Sequence, residues 1–302
     1  MIVLGSANMD IVVRTERAPH AGETLLGHDY ALYPGGKGAN QAVAARRAGA
    51  EVRFIGCLGR DSYGDKLYQT LAAEGIDAKA IIRTAIPTGV AIITVEGTGE
   101  NRIIVIPGAN HALTPADLPE TFPSGTILLA QLEIPIPVVL AAAAANRAAG
   151  GTTILNVSPV AGVDPATLAA LRDAADILLV NEAEASCLLA SDHLASPEAA
   201  AIDLAADRRA AIVTLGAAGV VWAANNATSV VPGHLPCHPV TVIDTTGCGD
   251  AFAGAFAAAI ERGAPIQSAV AFGNAAGALA ATRHGAQPAM PRADEIAALL
   301  EP

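Results

Sequence analysis

Short apolar runs that alternate with alanine-rich stretches of helical length are the feature that most narrows what this chain can fold into. Strand candidates are 2–5, 52–57, 127–130, 153–156, 177–180 and 211–215. They are too short and too continuously apolar to have one wet face, so both faces should be covered. Helix candidates fill the intervals: 39–48, 64–74, 137–149, 165–174, 182–190, 197–206, 251–262, 265–282 and 293–300. Strand, helix and strand in succession predict a mostly parallel central sheet between two helical layers, a three-layer α/β/α fold. At 302 residues, 52% hydrophobic and 16% charged, the chain can bury a large core, and we read 1–302 as a single α/β domain.

Two segments break the rhythm. In 11–35 and 88–107 apolar and polar residues alternate, and 96–101 reads as a hairpin loop between two such strands. Strands with one wet and one apolar face predict a small β-sheet lid attached to the body. Such a lid could close over a ligand or pair with a second subunit.

Charge and composition exclude several function classes. A net charge of -11 argues against a general nucleic-acid or anionic-membrane surface, and 3% aromatics argues against a base-stacking platform. An anionic ligand would need local help from backbone N–H groups, a lysine or a metal. Cys57, Cys187, Cys237 and Cys248 form no CxxC pair, so neither a zinc site nor a disulfide framework is expected. Reduced thiols and an N-terminus without a basic leader predict a cytoplasmic protein. The longest apolar run, near 134–145, is broken by Pro135 and Pro137 and is too short to span a bilayer.

Asp244-Thr245-Thr246-Gly247-Cys248-Gly249-Asp250 runs straight into an apolar helical segment. N–H groups at a helix start lack intrahelical partners and sit at the positive end of the helix dipole, so they can hold an anion. Asp250 would repel that anion, which makes sense if it takes a proton from a hydroxyl attacking a phosphoryl group. A glycine turn with Asp250 as helix N-cap accounts for the same residues. Gly35-Gly36-Lys37-Gly38-Ala39-Asn40-Gln41 is no Walker A loop, but it could approach a polyol closely; an ordinary turn is the alternative. Asn8 and Asp10 follow the first strand, where open α/β sheets bind ligands, although turns favour both residue types. Asn181-Glu182-Ala183-Glu184 and Thr214-Leu215-Gly216-Ala217-Ala218-Gly219 also follow strands, and Thr282-Arg283-His284-Gly285 follows a helix. Each has a local structural explanation. Together they put polar, glycine-rich turns on one rim of the sheet, which favours a phosphoryl-transfer site.

The two glycine motifs, in this order and spacing, resemble the N- and C-terminal signatures of the ribokinase family of sugar kinases (the PfkB group), and the likeness runs end to end. It implies an ATP-dependent kinase acting on the 5-hydroxyl of a pentose, ribose first. Other kinases of the family, acting on deoxyribose, fructose or a nucleoside, are the nearest alternatives, and a non-catalytic sensor is a more distant one. The resemblance implies Asp250 as catalytic base and the backbone of Gly247, Cys248 and Gly249 as an anion hole. It implies sugar contacts from Asn8, Asp10, Gly36, Lys37, Asn40 and Glu133, and nucleotide contacts from Asn181, Thr214, Gly216, Gly219, Gly249 and Asn274. Glu184 matches the acidic position linked to Mg²⁺ through water. Asp244, Thr246, Ala280, Arg283, Gly285 and Ala289 match a site for a monovalent cation, typically K⁺. A homodimer joined through the lid is also implied. The chain departs from the family pattern at four places. Cys248 puts a thiol open to oxidation at the anion hole, and Asn274 stands where some relatives have histidine. Ala289 lacks a hydroxyl, and Met9, beside the sugar positions, bears on pocket size.

Overall fold

The computed structural model describes residues 1–98, 100–191, 194–225 and 229–301. Its large sheet has nine strands in the order β13-β12-β11-β10-β9-β8-β1-β4-β5. The parallel part comprises β1 (Ile2–Leu4), β4 (Arg53–Gly59), β5 (Ile81–Thr84), β8 (Ile127–Ala130), β9 (Thr152–Asn156), β10 (Ile177–Asn181) and β11 (Ala210–Thr214). β12 (Val220–Asn225) and β13 (Val230–Leu235) extend one edge antiparallel. Successive strand residues face opposite layers, and the two cores show it. Val3, Leu129, Ile177 and Ile212 belong to one core, and Leu4, Leu128, Leu178 and Val213 to the other. The first core is covered by α1 (Lys37–Arg47), α2 (Ser62–Ala73), α7 (Cys248–Glu261), α8 (Ile266–Ala280) and α9 (Ala293–Leu300). The second is covered by α3 (Ile136–Ala148), α4 (Pro165–Ala174), α5 (Glu182–Leu188) and α6 (Pro197–Ala205). The three-layer reading holds.

A four-stranded sheet ordered β3-β2-β6-β7 stands apart from the first. It is built from β2 (Asn8–Arg14), β3 (Asp29–Gly35), β6 (Gly89–Val95) and β7 (Asn101–Ile106). The 96–101 loop contains Gly99, which lies outside the described residues. Several sequence boundaries shift. β2 starts at Asn8, so Asn8 and Asp10 are strand residues rather than loop residues, held by pairing to both β3 and β6. α1 starts at Lys37 rather than at 39. β5, β12 and β13 were not among the strand candidates. Two of them are sheet edges, and β13 carries Pro232 and Gly233 where an apolar run was sought.

α7 is buried along nearly its whole length and packs on α1 through small residues. A Cβ on Gly254 would lie 2.5 Å from Ala44 Cβ, 2.6 Å from Gln41 O and 2.7 Å from Ala45 N. Two of these neighbours are backbone atoms that cannot swing aside. Gly254→Ala is therefore expected to cost about 1–3 kcal/mol by overpacking. Chemical denaturation checks this, and an unchanged midpoint would show that the helices have slack.

Candidate active site

α7 begins on a left-handed residue. Gly247 has φ 75°, which glycine adopts without penalty, and it is the N-cap with no side-chain cap. The first intrahelical bond runs from Ala251 N–H to Gly247 O, so the N–H groups of Gly249 and Asp250 precede the ladder. The Cys248 N–H turns back to Thr245 O at 3.3 Å. The space before Gly249 is open: a Cβ there would meet nothing within 4 Å.

Asp250 does not cap its helix. Its carboxylate is buried and accepts from Asn40 Nδ2 at Oδ2 and from Gln41 Nε2 at Oδ1, both at 2.9 Å. Consecutive residues of α1 thus hold both oxygens. Asn40 Oδ1 is buried with no hydrogen-bond partner among the described residues. Glu133, beyond β8, accepts through Oε2 from Ser6 Oγ at 2.5 Å and from the Lys37 backbone N–H at 3.0 Å. Burial alone would lower the pKa of Lys37. The carboxylates of Asp250, Glu133 and Glu184 outweigh it and hold the ammonium above the ordinary lysine value.

Asp10 lines a cavity of about 300 Å³ beneath the lid with Val12, Arg14, Tyr33, Ile93 and Asp244. Burial, then Glu133 and Asp250, push its carboxyl from 3.8 up to about 7. Asn8 is more deeply set, and its Oδ1 accepts from Asn110 Nδ2 at 2.7 Å. Met9 is 2% exposed on the other side of β2, so it does not shape this cavity. Gly36 caps α1 beside Lys37.

A second groove starts at Asp250. Lys37, Asn181, Glu184, Thr214, Gly249 and Asp250 line its first part. Thr214 and Gly249 continue into a cavity of about 320 Å³ that also takes in Gly216, Gly219, Cys248 and Asn274. Asn181 caps α5 in a capping box, its Oδ1 accepting from Glu184 N–H while Glu184 Oε2 accepts from Asn181 N–H. Asn274 Nδ2 donates to Pro236 O at 2.8 Å. Burial and the Asp244 charge push the Cys248 thiol up to about 11. It therefore stays protonated at neutral pH, which opposes ready oxidation.

At the end of α8, Asp244 ties two loops together. Its Oδ1 accepts from Thr246 N–H and its Oδ2 from Gly285 N–H, and these bonds hold its pKa low against the effect of burial. Ile243 and Asp244 N–H groups both donate to Ala281 O, so Ala280 and Thr246 are drawn to the same corner. The Arg283 guanidinium pairs with Glu295, which leaves only its backbone for a cation. Ala289 follows in a buried 3₁₀ turn.

The residues expected to hold sugar, phosphate and nucleotide therefore lie on one rim of the sheet. Sequence reasoning missed Gln41 as a separate actor, along with Asn110, Gln131 and Asn156. Asn110 holds Asn8 and the Ala7 backbone. Gln131 Nε2 donates to Gln41 Oε1 at 2.6 Å, and Gln41 Nε2 also donates to Asn156 Oδ1.

A parallel α/β/α body with a strand lid and a carboxylate at an open helix N-terminus defines a small-molecule phosphotransferase. The sequence profile of the pfkB family carbohydrate kinases matches residues 1–293. The chain belongs to that family and is a sugar kinase. Ribokinase of Bacillus subtilis (strain 168) is 37% identical, with 99% of this chain and 98% of that protein covered. Among solved structures, the Thermotoga maritima ribokinase superposes with a TM-score of 0.87 at 35% identity, covering 99% of this chain and 98% of that one. The Arabidopsis thaliana ribokinase, solved with ribose and ATP, gives 0.86 at 31%, covering 99% and 98%.

The raised carboxyl of Asp10 has a stability consequence. Between pH 3.8 and about 7 the folded protein keeps a proton that the unfolded chain gives up, so stability falls as pH rises through that window. Asp10→Asn removes the effect. Its thermal midpoint is expected to exceed the parent's by a margin that widens over those pH values and then levels. Melting curves taken from pH 4 to 8 check this, and a constant margin would contradict it.

Proposed function

We propose that the chain transfers the γ-phosphoryl group of ATP to the 5-hydroxyl of D-ribose. The buried Asp250 carboxylate, held by two amides at the mouth of an open helix N-terminus, carries this reading. Relatives named ribokinase, matched over nearly their whole length, support ribose as the acceptor. The sugar lies between lid and body. The carboxylates of Asp10 and Glu133 and the free Asn40 Oδ1 accept from its hydroxyls, and the Asn8 amide donates. ATP lies along the second groove, with its phosphates toward Gly249 and Lys37 and its base toward Asn274.

Each Asp250 oxygen has a further lone pair beyond the amide bonds. As the 5-oxygen attacks the γ-phosphorus, its proton passes to Asp250 and the bond to the β-phosphate oxygen breaks. The N–H groups of Gly249 and Asp250, with Lys37, take up charge on the phosphoryl oxygens. Glu184 uses one oxygen in its capping box. The other suits a water of Mg²⁺, which when bound neutralises phosphate charge. The carbonyl-rich corner at the negative end of α8, with Asp244, suits a monovalent cation such as K⁺. Its Ala280, Arg283, Gly285 and Ala289 would contribute backbone oxygens, with Thr246 beside them.

Coupled ADP release over ribose, deoxyribose, fructose and adenosine, with and without K⁺, tests the assignment. Ribose with K⁺ is expected to turn over fastest, and Asp250→Asn is expected to lose about 10²–10⁴-fold in kcat while still binding both substrates. Near-normal turnover in that variant, or preference for another acceptor, would refute it.

The lid also supports a homodimer. Leu32, Ile92 and Ile104 align across β3, β6 and β7 on the face away from the cavity, and each is substantially exposed. Ile104→Asp is expected to shift a sedimenting dimer to monomer; parent protein that sediments only as monomer would rule the lid pairing out. Four free thiols suit a reducing, cytoplasmic setting. No helix among the described residues is long and apolar enough to cross a membrane.

A further inference from the structure

We infer that Gln41 is a positioning residue for phosphoryl transfer, the middle link of a buried amide relay that sets the Asp250 carboxylate. This deepens the reading above and rests on Asp250 being the base. Gln41 is 0% exposed, and every hydrogen-bonding group of its amide is used. Its Nε2 donates one hydrogen to Asp250 Oδ1 and the other to Asn156 Oδ1, both at 2.9 Å. Its Oε1 accepts from Gln131 Nε2 at 2.6 Å.

The pattern admits one orientation. Turned over, the Gln41 amide would set its oxygen against two acceptors, Asp250 and Asn156, and its NH₂ against the NH₂ of Gln131. The acceptor-only carboxylate and the tethered Asn156 oxygen therefore fix which end of the Gln41 amide faces them, and Gln131, also 0% exposed, satisfies the other end. Asn156 is itself tethered, donating through Nδ2 to Leu179 O at 3.2 Å. The relay thus runs from the ends of β8 and β9 and the middle of β10 through α1 to α7. Asn40, 6% exposed and with its own Oδ1 unpartnered among the described residues, grips Oδ2. Gln41, 0% exposed and with its whole amide engaged, grips Oδ1. With Oδ1 fixed, the carboxylate's rotation is fixed, and so is the direction of its remaining lone pairs toward the acceptor hydroxyl.

Gln41→Met keeps the length and volume of the side chain and removes all three hydrogen bonds. It is expected to lower kcat by about 10–100-fold, the range seen when supporting partners of a reacting group are lost. Dissociation constants for ribose and for a non-hydrolysable ATP analogue should stay within about 3-fold of the parent's, well inside that loss. The same substitution in an Asp250→Asn background should lower kcat no further, because there is no base left to aim. Gln131→Met, which frees only the far end of the relay, should show a smaller loss of the same kind and gives a second reading if Gln41→Met folds poorly. Equal losses in both backgrounds, or unchanged kcat in both single variants, would overturn the positioning role. Full turnover by Asp250→Asn alone would instead overturn the base assignment, so the two failures are distinguishable.

Discussion

The close approach of α1 and α7 is the constraint on which the rest of the site depends. Small residues, Gly254 on one helix and Ala44 and Ala45 on the other, let the backbones come together. That brings Asn40 and Gln41 within hydrogen-bond reach of Asp250. A carboxylate this buried would be costly without partners, and the two amides satisfy it without neutralising it. The N–H groups at the start of α7 then face the groove lined by Lys37 and Glu184. Moving either helix outward by a methyl group's width would separate the carboxylate from its donors.

Electrostatics at the rim runs against the rest of the molecule. The chain carries a net charge of -11, and Asp10, Glu133, Glu184 and Asp250 crowd one end of the sheet. The Lys37 ammonium and the N-termini of α1, α5 and α7 stand against them. Burial, with the charges of Glu133 and Asp250 added to it, pushes the Asp10 carboxyl up to about 7. Hydroxyls of a polyol are natural partners for such acceptors. The cost in stability is the familiar one of a functional site, with like charges held close because the ligand needs them there.

Much of this was legible in the sequence because it is local. Strands buried on both faces are continuous apolar runs, so β1, β4, β8, β9, β10 and β11 could be placed. The two glycine motifs announced both helix starts and, by resemblance, the family. What escaped is non-local. Nothing around Gln131 or Asn110 distinguishes a buried amide from a surface one, since each gains its role from a partner about ninety to a hundred residues away. Asn8 and Asp10 read as turn residues because Asn and Asp favour turns, but pairing on both sides overrode that preference. β13, with its proline and glycine, has the composition of a loop and is a strand only because β12 pairs with it. Met9 sits between Asn8 and Asp10, the residues proposed to hold the sugar, but strand alternation turns it to the opposite face.

The central claim is that the Asp250 carboxylate receives the proton of the attacking hydroxyl. A crystal structure with ribose and a non-hydrolysable ATP analogue bound addresses it most directly. The account predicts the ribose 5-hydroxyl within about 2.6–3.2 Å of an Asp250 oxygen and in line with the γ-phosphorus, with Gln41 still on Oδ1. A ribose held with that hydroxyl turned away from Asp250, or a nucleotide whose γ-phosphate lies far from Gly249, would contradict it.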